Sequence, residues 1–229
     1  MRLGTYSLCL LQLFLVLAIF PLCSCDGPVV ETWCGPVEGK VIDGALSFRG
    51  IPYAAPPVGQ RRWTPPETLS HAKGTCWNGT YEAFQYGKTC FQIDPEDATR
   101  FLGSEDCLYL NVMSPEINTT NLKPVMVWIH GGSLQLSSGN WPLYTPTEKL
   151  AVTTGVVYVS FNYRLQAFGF LALQELADIS LFKTSGNYGF QDMIEVLRWV
   201  QTNIKHFGGD PNQVNNIGWC TCHNLISIL

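Results

Sequence analysis

Three short segments that are apolar on both faces constrain the fold of this 229-residue chain more than any other feature. They are CLYLNVM at 107–113, VMVWI at 125–129 and VVYVSF at 156–161, and all are rich in β-branched and aromatic residues. Strands of this kind belong to a sheet that is covered on both sides, usually by helices. The segments therefore predict a central sheet between helical layers.

A helical pattern follows the third segment. Within 191–207 the apolar residues recur on one helical stripe, at Met193, Val196, Leu197, Val200 and Ile204. Gly208-Gly209 predicts the end of this helix, and 214–218 is a further candidate strand. This order of strands and helix indicates an α/β protein.

The N-terminal third has a different pattern. Short alternating segments within 29–49 are separated by Gly-Pro and Asp-Gly pairs, which predicts a small antiparallel sheet. Residues 67–103 are loop-rich and of mixed polarity, and no helix or strand is predicted there.

The first 25 residues have the pattern of a secretion signal. Arg2 precedes an apolar run at 8–20, and Cys23-Ser24-Cys25 provides the small residues of a cleavage site before Asp26. A membrane anchor is the alternative, but a span needs roughly 20 apolar residues. We therefore expect a secreted protein whose mature chain has no membrane span.

Charge and cysteine content indicate which functions and which compartment fit the chain. The 14 basic and 18 acidic residues form no basic run, which argues against nucleic-acid binding. In an oxidising compartment disulfides are the expected state of the cysteines beyond the leader, which are Cys34, Cys76, Cys90, Cys107, Cys220 and Cys222. Asn78 and Asn118 begin N-x-T sequons, which predicts glycosylation of a secreted surface.

Six motifs occur in a fixed order along the chain. They are FRGIPYAAPPVG at 48–59 with Arg62-Trp63, SEDCLYLNVMSP at 104–115, HGGS at 130–133, NYRL at 162–165, GNYGFQD at 186–192 and FGGDP at 207–211. Together they resemble the type-B carboxylesterase/cholinesterase family over roughly residues 29–214. The resemblance implies an α/β-hydrolase fold with a mostly parallel sheet. It also implies hydrolysis of small carboxylic esters through an acyl-enzyme, without a metal or organic cofactor.

The resemblance assigns the HGGS segment to stabilisation of the oxyanion. By family position the backbone amides of Gly132 and Ser133 are the donors, and Gly131 permits close approach of the backbone. Each donor of this kind lowers the barrier by about 3 kcal/mol. The common pattern has Gly where this chain has Ser133, a tolerable change because the contact is through the main chain. His130 is expected to be structural.

Other residues that match the family motifs are expected to have structural roles. The resemblance implies a Cys90–Cys107 disulfide and two ion pairs, Arg62 with Glu105 and Arg164 with Asp192. A buried pair of this type costs about 3–5 kcal/mol when one partner is removed. The family provides no partner for Cys34 or Cys76, and a bridge between these two is one possibility.

The family pattern is lost beyond residue 214. The family continues with a buried strand and a G-x-S-x-G turn, whereas this chain has Gly218 at the first glycine and Cys220 at the nucleophile position. One hypothesis is a splice, frame or gene-model change that makes 215–229 a divergent tail. A second hypothesis is that Cys220 acts as the nucleophile. A third is that the chain is a non-catalytic member of the family. His223 follows Cys220 too closely to be the family's triad histidine.

The sequence thus predicts three parts: a signal peptide at 1–25, the N-terminal part of a carboxylesterase domain at 26–214, and the tail. The expected fold is an incomplete α/β-hydrolase fold, and the expected chain is a family member truncated before its nucleophile and inactive alone. A cholinesterase-like adhesion protein of the neuroligin type, which binds partner proteins, is the alternative.

Overall fold

The computed structural model describes residues 27–218. The expected signal peptide, Cys220 and the tail beyond Gly218 lie outside the described residues. The described strands are β1 (Val29–Thr32), β2 (Gly35–Glu38), β3 (Lys40–Ile42), β4 (Ala45–Pro52), β5 (Tyr81–Glu82), β6 (Gln92–Ile93), β7 (Phe101–Leu102), β8 (Tyr109–Ser114), β9 (Lys123–Ile129), β10 (Val157–Phe161) and β11 (Gly209–Gly218). The helices are α1 (Glu148–Thr154), α2 (Gln166–Phe170), α3 (Gln174–Ile179) and α4 (Tyr188–Asn203), with 3-10 turns at Gly59–Arg61, His71–Lys73 and Ile204–Phe207.

A six-stranded sheet with the order β11-β9-β10-β8-β4-β3 forms the centre of the described structure. The expectation of a mostly parallel sheet is not confirmed for this part: β9 is parallel to β10 and β11, while β10-β8, β8-β4 and β4-β3 are antiparallel. Helical crossovers return the chain in the same direction only between β9 and β10 and between β10 and β11. The earlier strands have no such crossover.

The small N-terminal sheet also differs from the prediction. β1 and β2 form an antiparallel hairpin, but β5 adds to β2 in parallel, so the three-stranded sheet is mixed. β3 and β4 leave this sheet and join the large one instead. The prediction of strands within 29–49 is therefore confirmed, but the predicted sheet is incomplete. Its third strand, β5, comes from the loop-rich region in which no strand was predicted.

The three apolar segments and the helical stripe form the core. All five residues of β10 are buried, as expected for a strand that is covered on both sides. Helix α4 presents Val196 and Val200, both fully buried, to the sheet. A turn of 3-10 helix continues α4, and Gly208, with φ of +84°, ends it where the sequence predicts.

The parallel strands bring three chain segments to one edge of the sheet. In the register of the sheet Ile129 at the end of β9 pairs with Gly218 of β11, and Trp128 pairs with Ser160 of β10. The loops that leave β9 and β10 therefore start side by side. Sites in open α/β sheets lie at this carboxyl edge.

Candidate active site

The HGGS segment follows β9 directly at the carboxyl edge of the sheet and begins a loop at residues 130–139, here called the oxyanion loop. Gly132 has φ of +102°, and a Cβ at this position would lie 2.0 Å from the carbonyl oxygen of Leu136. Its own carbonyl accepts hydrogen bonds from the amides of Gln135 and Leu136. The tight turn therefore requires glycine at position 132.

Three further residues of the oxyanion loop have positive φ without being glycine. They are Ser133 at 54°, Leu134 at 63° and Ser137 at 88°. A non-glycine residue in this region costs on the order of 1–3 kcal/mol and persists only where its surroundings hold it. The loop is therefore strained, and contacts from outside it must keep it in place.

The amides of Gly132 and Ser133 are free to act as donors. Within residues 27–218 neither N–H has a hydrogen-bond acceptor. Gly131 and Gly132 line a cleft of about 250 Å³, whose aromatic walls include Trp128 and Trp141. Ser133 is not among the described residues that line this cleft.

His130 contributes to the lining of the cleft, but its side chain is buried and held by neighbouring groups. Its ring stacks on Tyr163 with 4.2 Å between centroids, and the Tyr163 hydroxyl donates to the His130 carbonyl. Nδ1 lies 2.9 Å from the carbonyl oxygen of Gly131, which favours a proton on Nδ1. Burial lowers the pKa of His130 to about 4, so the ring is neutral at physiological pH.

Two buried amide side chains that the sequence analysis did not single out hold the oxyanion loop from outside. Gln92 bonds both backbone groups of Ser137, and Asn162 accepts from the Gly139 amide at 2.8 Å. Asn162 begins the NYRL motif at 162–165, which was an available signal, whereas Gln92 had only its position two residues after Cys90.

Within residues 27–218 the cysteines form two disulfides. Cys90 is joined to Cys107 with 4.9 Å between the Cα atoms, as the resemblance implied. Cys34 is joined to Cys76 with 5.1 Å between the Cα atoms, which is the pairing that the sequence left open.

The two expected ion pairs are formed, but their environments differ. Arg164 and Asp192 are buried, and Nε and Nη2 of the guanidinium donate to the carboxylate at 2.8 and 2.7 Å. Arg62 donates from Nη2 to Glu105 at 2.7 Å, yet its side chain is 37% exposed. The higher cost expected for a buried pair therefore applies only to Arg164 and Asp192, which fasten the end of β10 to α4.

The remaining expected sites lie at the surface or outside the described residues. Asn78 is exposed, and Asn118 is partly exposed in a turn in which its Oδ1 accepts from the Thr120 amide. Cys220 is not described. Across residues 27–218 no three potential ligand side chains cluster in a way that could hold a metal ion, and no helix is long and apolar enough to span a membrane.

Comparisons with known proteins place this geometry in a family. Para-nitrobenzyl esterase of Bacillus subtilis is 42% identical over 196 residues, and Neurotactin of Drosophila melanogaster is 41% identical over 198 residues. These alignments cover 83% and 86% of this chain but only 37% and 23% of the respective relatives. The structure of a carboxylesterase from Geobacillus stearothermophilus superposes with a TM-score of 0.73 at 40% identity, over 83% of this chain and 37% of that one. The model of the carboxylesterase family matches residues 26–228, and the chain therefore belongs to the carboxylesterase family.

Proposed function

We propose that the cleft beside the oxyanion loop is the oxyanion-binding part of an ester-hydrolase site. The observation that carries this proposal is the pair of amides at Gly132 and Ser133, which have no acceptor within the described residues and follow a central parallel strand. Preorganised backbone donors of this kind stabilise charge that develops in a transition state.

The chemistry is acyl transfer from a small carboxylic ester. When a nucleophile adds to the ester carbonyl, the π electron pair moves to the carbonyl oxygen, and the two amides donate to the resulting oxyanion. The apolar walls at Trp128 and Trp141 suit the hydrocarbon part of an ester. Neither the addition of the nucleophile nor the stabilisation of the oxyanion calls on a metal or organic cofactor.

We further propose that this 229-residue polypeptide does not turn over esters by itself. The nucleophile of the family would stand at Cys220, and the residues after Cys220 include His223 but no Asp or Glu. A nucleophile in this family needs a base to take its proton and a carboxylate to orient that base. Position 220 lacks this pair within the nine residues that follow it.

Hydrolysis of p-nitrophenyl butyrate by the purified chain tests this proposal. We expect the wild type and Cys220→Ala to release p-nitrophenol at the same rate, equal to the rate with an inert protein. Turnover in the wild type that Cys220→Ala abolishes would show that Cys220 is a working nucleophile and contradict the proposal.

A non-catalytic adhesion protein of the neuroligin type is the second candidate. Cys220 at the nucleophile position favours it, as does the relative Neurotactin, whose name, unlike para-nitrobenzyl esterase, states no ester-hydrolysing activity. The full reading frame of the gene discriminates the two candidates. A G-x-S-x-G turn followed by a triad histidine supports the enzyme, and their absence supports the adhesion protein.

We also propose that the protein is secreted and glycosylated. The two disulfides support an oxidising compartment, and the surface positions of Asn78 and Asn118 leave both sequons accessible. Expression in a secreting eukaryotic cell should give a chain that begins at Asp26 and loses mass on treatment with an N-glycosidase. A chain that retains residues 1–25, or shows no loss of mass, would contradict this expectation.

A further inference from the structure

The amide group of Gln92 makes three hydrogen bonds, two of which hold Ser137 of the oxyanion loop. The side chain is fully buried, and its Nε2 donates to the carbonyl oxygens of Cys90 and Ser137, at 2.9 Å each. Its Oε1 accepts from the amide of Ser137 at 2.7 Å. One side chain therefore satisfies both backbone groups of Ser137, as a neighbouring strand would.

Ser137 has a φ of 88°, a strained conformation that persists only where its surroundings hold it. Within the oxyanion loop itself, the backbone bonds among the described residues are those from the amides of Gln135 and Leu136 to the carbonyl of Gly132. Two bonds to a single acceptor leave the strained second half of the loop dependent on outside contacts.

Asn162 ties the same two segments together a second time. Its Oδ1 accepts from the amide of Gly139 at 2.8 Å, and its Nδ2 donates to the carbonyl oxygen of Lys88 at 2.9 Å. Segment 88–92 and segment 137–139 are therefore joined by two buried amides. Movement of one segment must disturb the other, because a buried amide that loses its partners pays a desolvation penalty.

The Cys90–Cys107 disulfide fixes segment 88–92 to the sheet. Both cysteines are buried, and Cys107 lies two residues before β8, a central strand. We propose that Gln92 is a positioning residue of the site, and that the Cys90–Cys107 disulfide acts through it to order the amides of Gly132 and Ser133. Reduction of this disulfide would then loosen the site. The inference rests on the proposed function of these two amides.

Residue-resolved amide exchange of the whole chain tests the role of Gln92. The variant Gln92→Met keeps the length of the side chain and removes the three hydrogen bonds of the amide. We expect exchange at Gln135, Leu136 and Gly139 to become about tenfold faster, because the acceptors of these amides are unchanged and only the order of the loop is lost. Unchanged exchange at these three amides would overturn the proposal.

A matched control separates this effect from general destabilisation. Asn203 is another buried amide, which accepts from the Trp33 amide at 2.8 Å and donates to the Trp199 carbonyl at 2.9 Å, away from the oxyanion loop. Asn203→Leu should leave exchange at Gln135, Leu136 and Gly139 as in the wild type. An equal acceleration in both variants would show that Gln92 is merely structural.

The second disulfide provides the control for the redox arm. Replacing both Cys90 and Cys107 with Ser should accelerate loop exchange as Gln92→Met does, whereas replacing Cys34 and Cys76 with Ser should not. Loop exchange that is the same in the two double variants would overturn the role of the disulfide.

Binding of a tetrahedral anion separates this inference from the proposed function. Ethyl methylphosphonate is titrated while the amide resonances of Gly132 and Ser133 are observed. Binding to the wild type that weakens about tenfold in Gln92→Met supports both ideas. Equal binding by both proteins overturns only the role of Gln92. A wild type that does not bind, with a loop that Gln92→Met loosens, overturns the proposed function and leaves Gln92 as the residue that orders the loop.

Discussion

Gly132 is required in the site for two reasons, its backbone conformation and its close packing against Leu136. Its φ of +102° is costly for any residue with a Cβ, and that Cβ would meet the backbone of Leu136. Gly155 provides a comparison, since its φ is also positive at +68° but a Cβ there would meet nothing within 4 Å. The two glycines differ in packing and share the backbone requirement.

Gly132→Ala should therefore lower the free energy of unfolding more than Gly155→Ala does. We expect a loss of about 1 kcal/mol for Gly155→Ala, from backbone strain alone, and of about 3 kcal/mol or more for Gly132→Ala. Urea unfolding of the two variants and the wild type measures the difference. Equal losses would mean that the turn at Gly132 relaxes without cost.

His130 should make the stability of the protein depend on pH. Its pKa is lowered to about 4 by burial, whereas an unfolded histidine has a pKa of about 6.5. Between these values the unfolded chain binds the proton and the folded chain does not, so the free energy of unfolding falls as the pH is lowered. The contribution is complete above about pH 6.5 and is lost progressively towards about pH 4.

The variant His130→Phe keeps a ring beside Tyr163 and removes this titration. On going from about pH 7 to about pH 4.5, the wild type should lose about 2–3 kcal/mol more unfolding free energy than the variant does. Urea unfolding at the two pH values provides the measurement. Parallel losses in the two proteins would show that His130 is not buried as a neutral ring.

Among the secondary-structure elements, β11 differs most from what its place in the sheet would lead one to expect. It pairs with β9 in parallel, yet it carries Asn215 and Asn216. Oδ1 of Asn216 is buried and has no hydrogen-bond partner within residues 27–218, while Asn215 is exposed. An unpaired buried polar atom destabilises a strand.

Asn216→Val should consequently stabilise the protein by about 1 kcal/mol or more. It replaces an unpaired buried oxygen with a methyl group, and valine has a high strand propensity. Asn215→Val, at the exposed neighbour, should change stability by less than about 0.5 kcal/mol. Thermal unfolding of the two variants decides the matter. A destabilising Asn216→Val would show that the amide has a partner beyond the described residues.

The elements themselves were largely predictable because their signals are local. Period and end signals predicted β8, β9, β10, α4 and β11, since apolar spacing and glycine stops act within a few residues. The parallel addition of β5 to β2 depends on pairing across more than forty residues of chain, and no local pattern encodes it.

In the candidate site, too, the local features were predictable and the long-range contacts were not. The HGGS segment is local and was recognisable, whereas the roles of Gln92 and Asn162 arise only when distant segments meet across the fold. A polar residue near a cysteine or just after a strand gives no local sign of the partners that will bury it. The Cys34–Cys76 disulfide belongs to the same class of long-range feature.

Taken as a whole, the described structure exposes apolar groups that a soluble monomer usually covers. Ile179, Leu181 and Phe182, at the end of α3 and just beyond it, are 83%, 88% and 70% exposed. In addition, β11 is an edge strand of the large sheet among the described residues. Exposed apolar patches and open sheet edges promote association.

The 229-residue chain made alone should therefore self-associate increasingly as its concentration is raised. Light scattering after size exclusion, at several loading concentrations, tests this expectation. The double variant Leu181→Ser, Phe182→Ser should increase the monomer fraction, because it removes two of the exposed apolar side chains. A wild type that stays monomeric over the whole concentration range would contradict the prediction.

Titration of the wild-type chain with ethyl methylphosphonate, followed through the amide resonances of Gly132 and Ser133, tests the central claim most directly. The account predicts saturable shifts of these two amides while the same preparation leaves p-nitrophenyl butyrate unhydrolysed. Amides that do not respond to the anion, or ester turnover that Cys220→Ala removes, would contradict it.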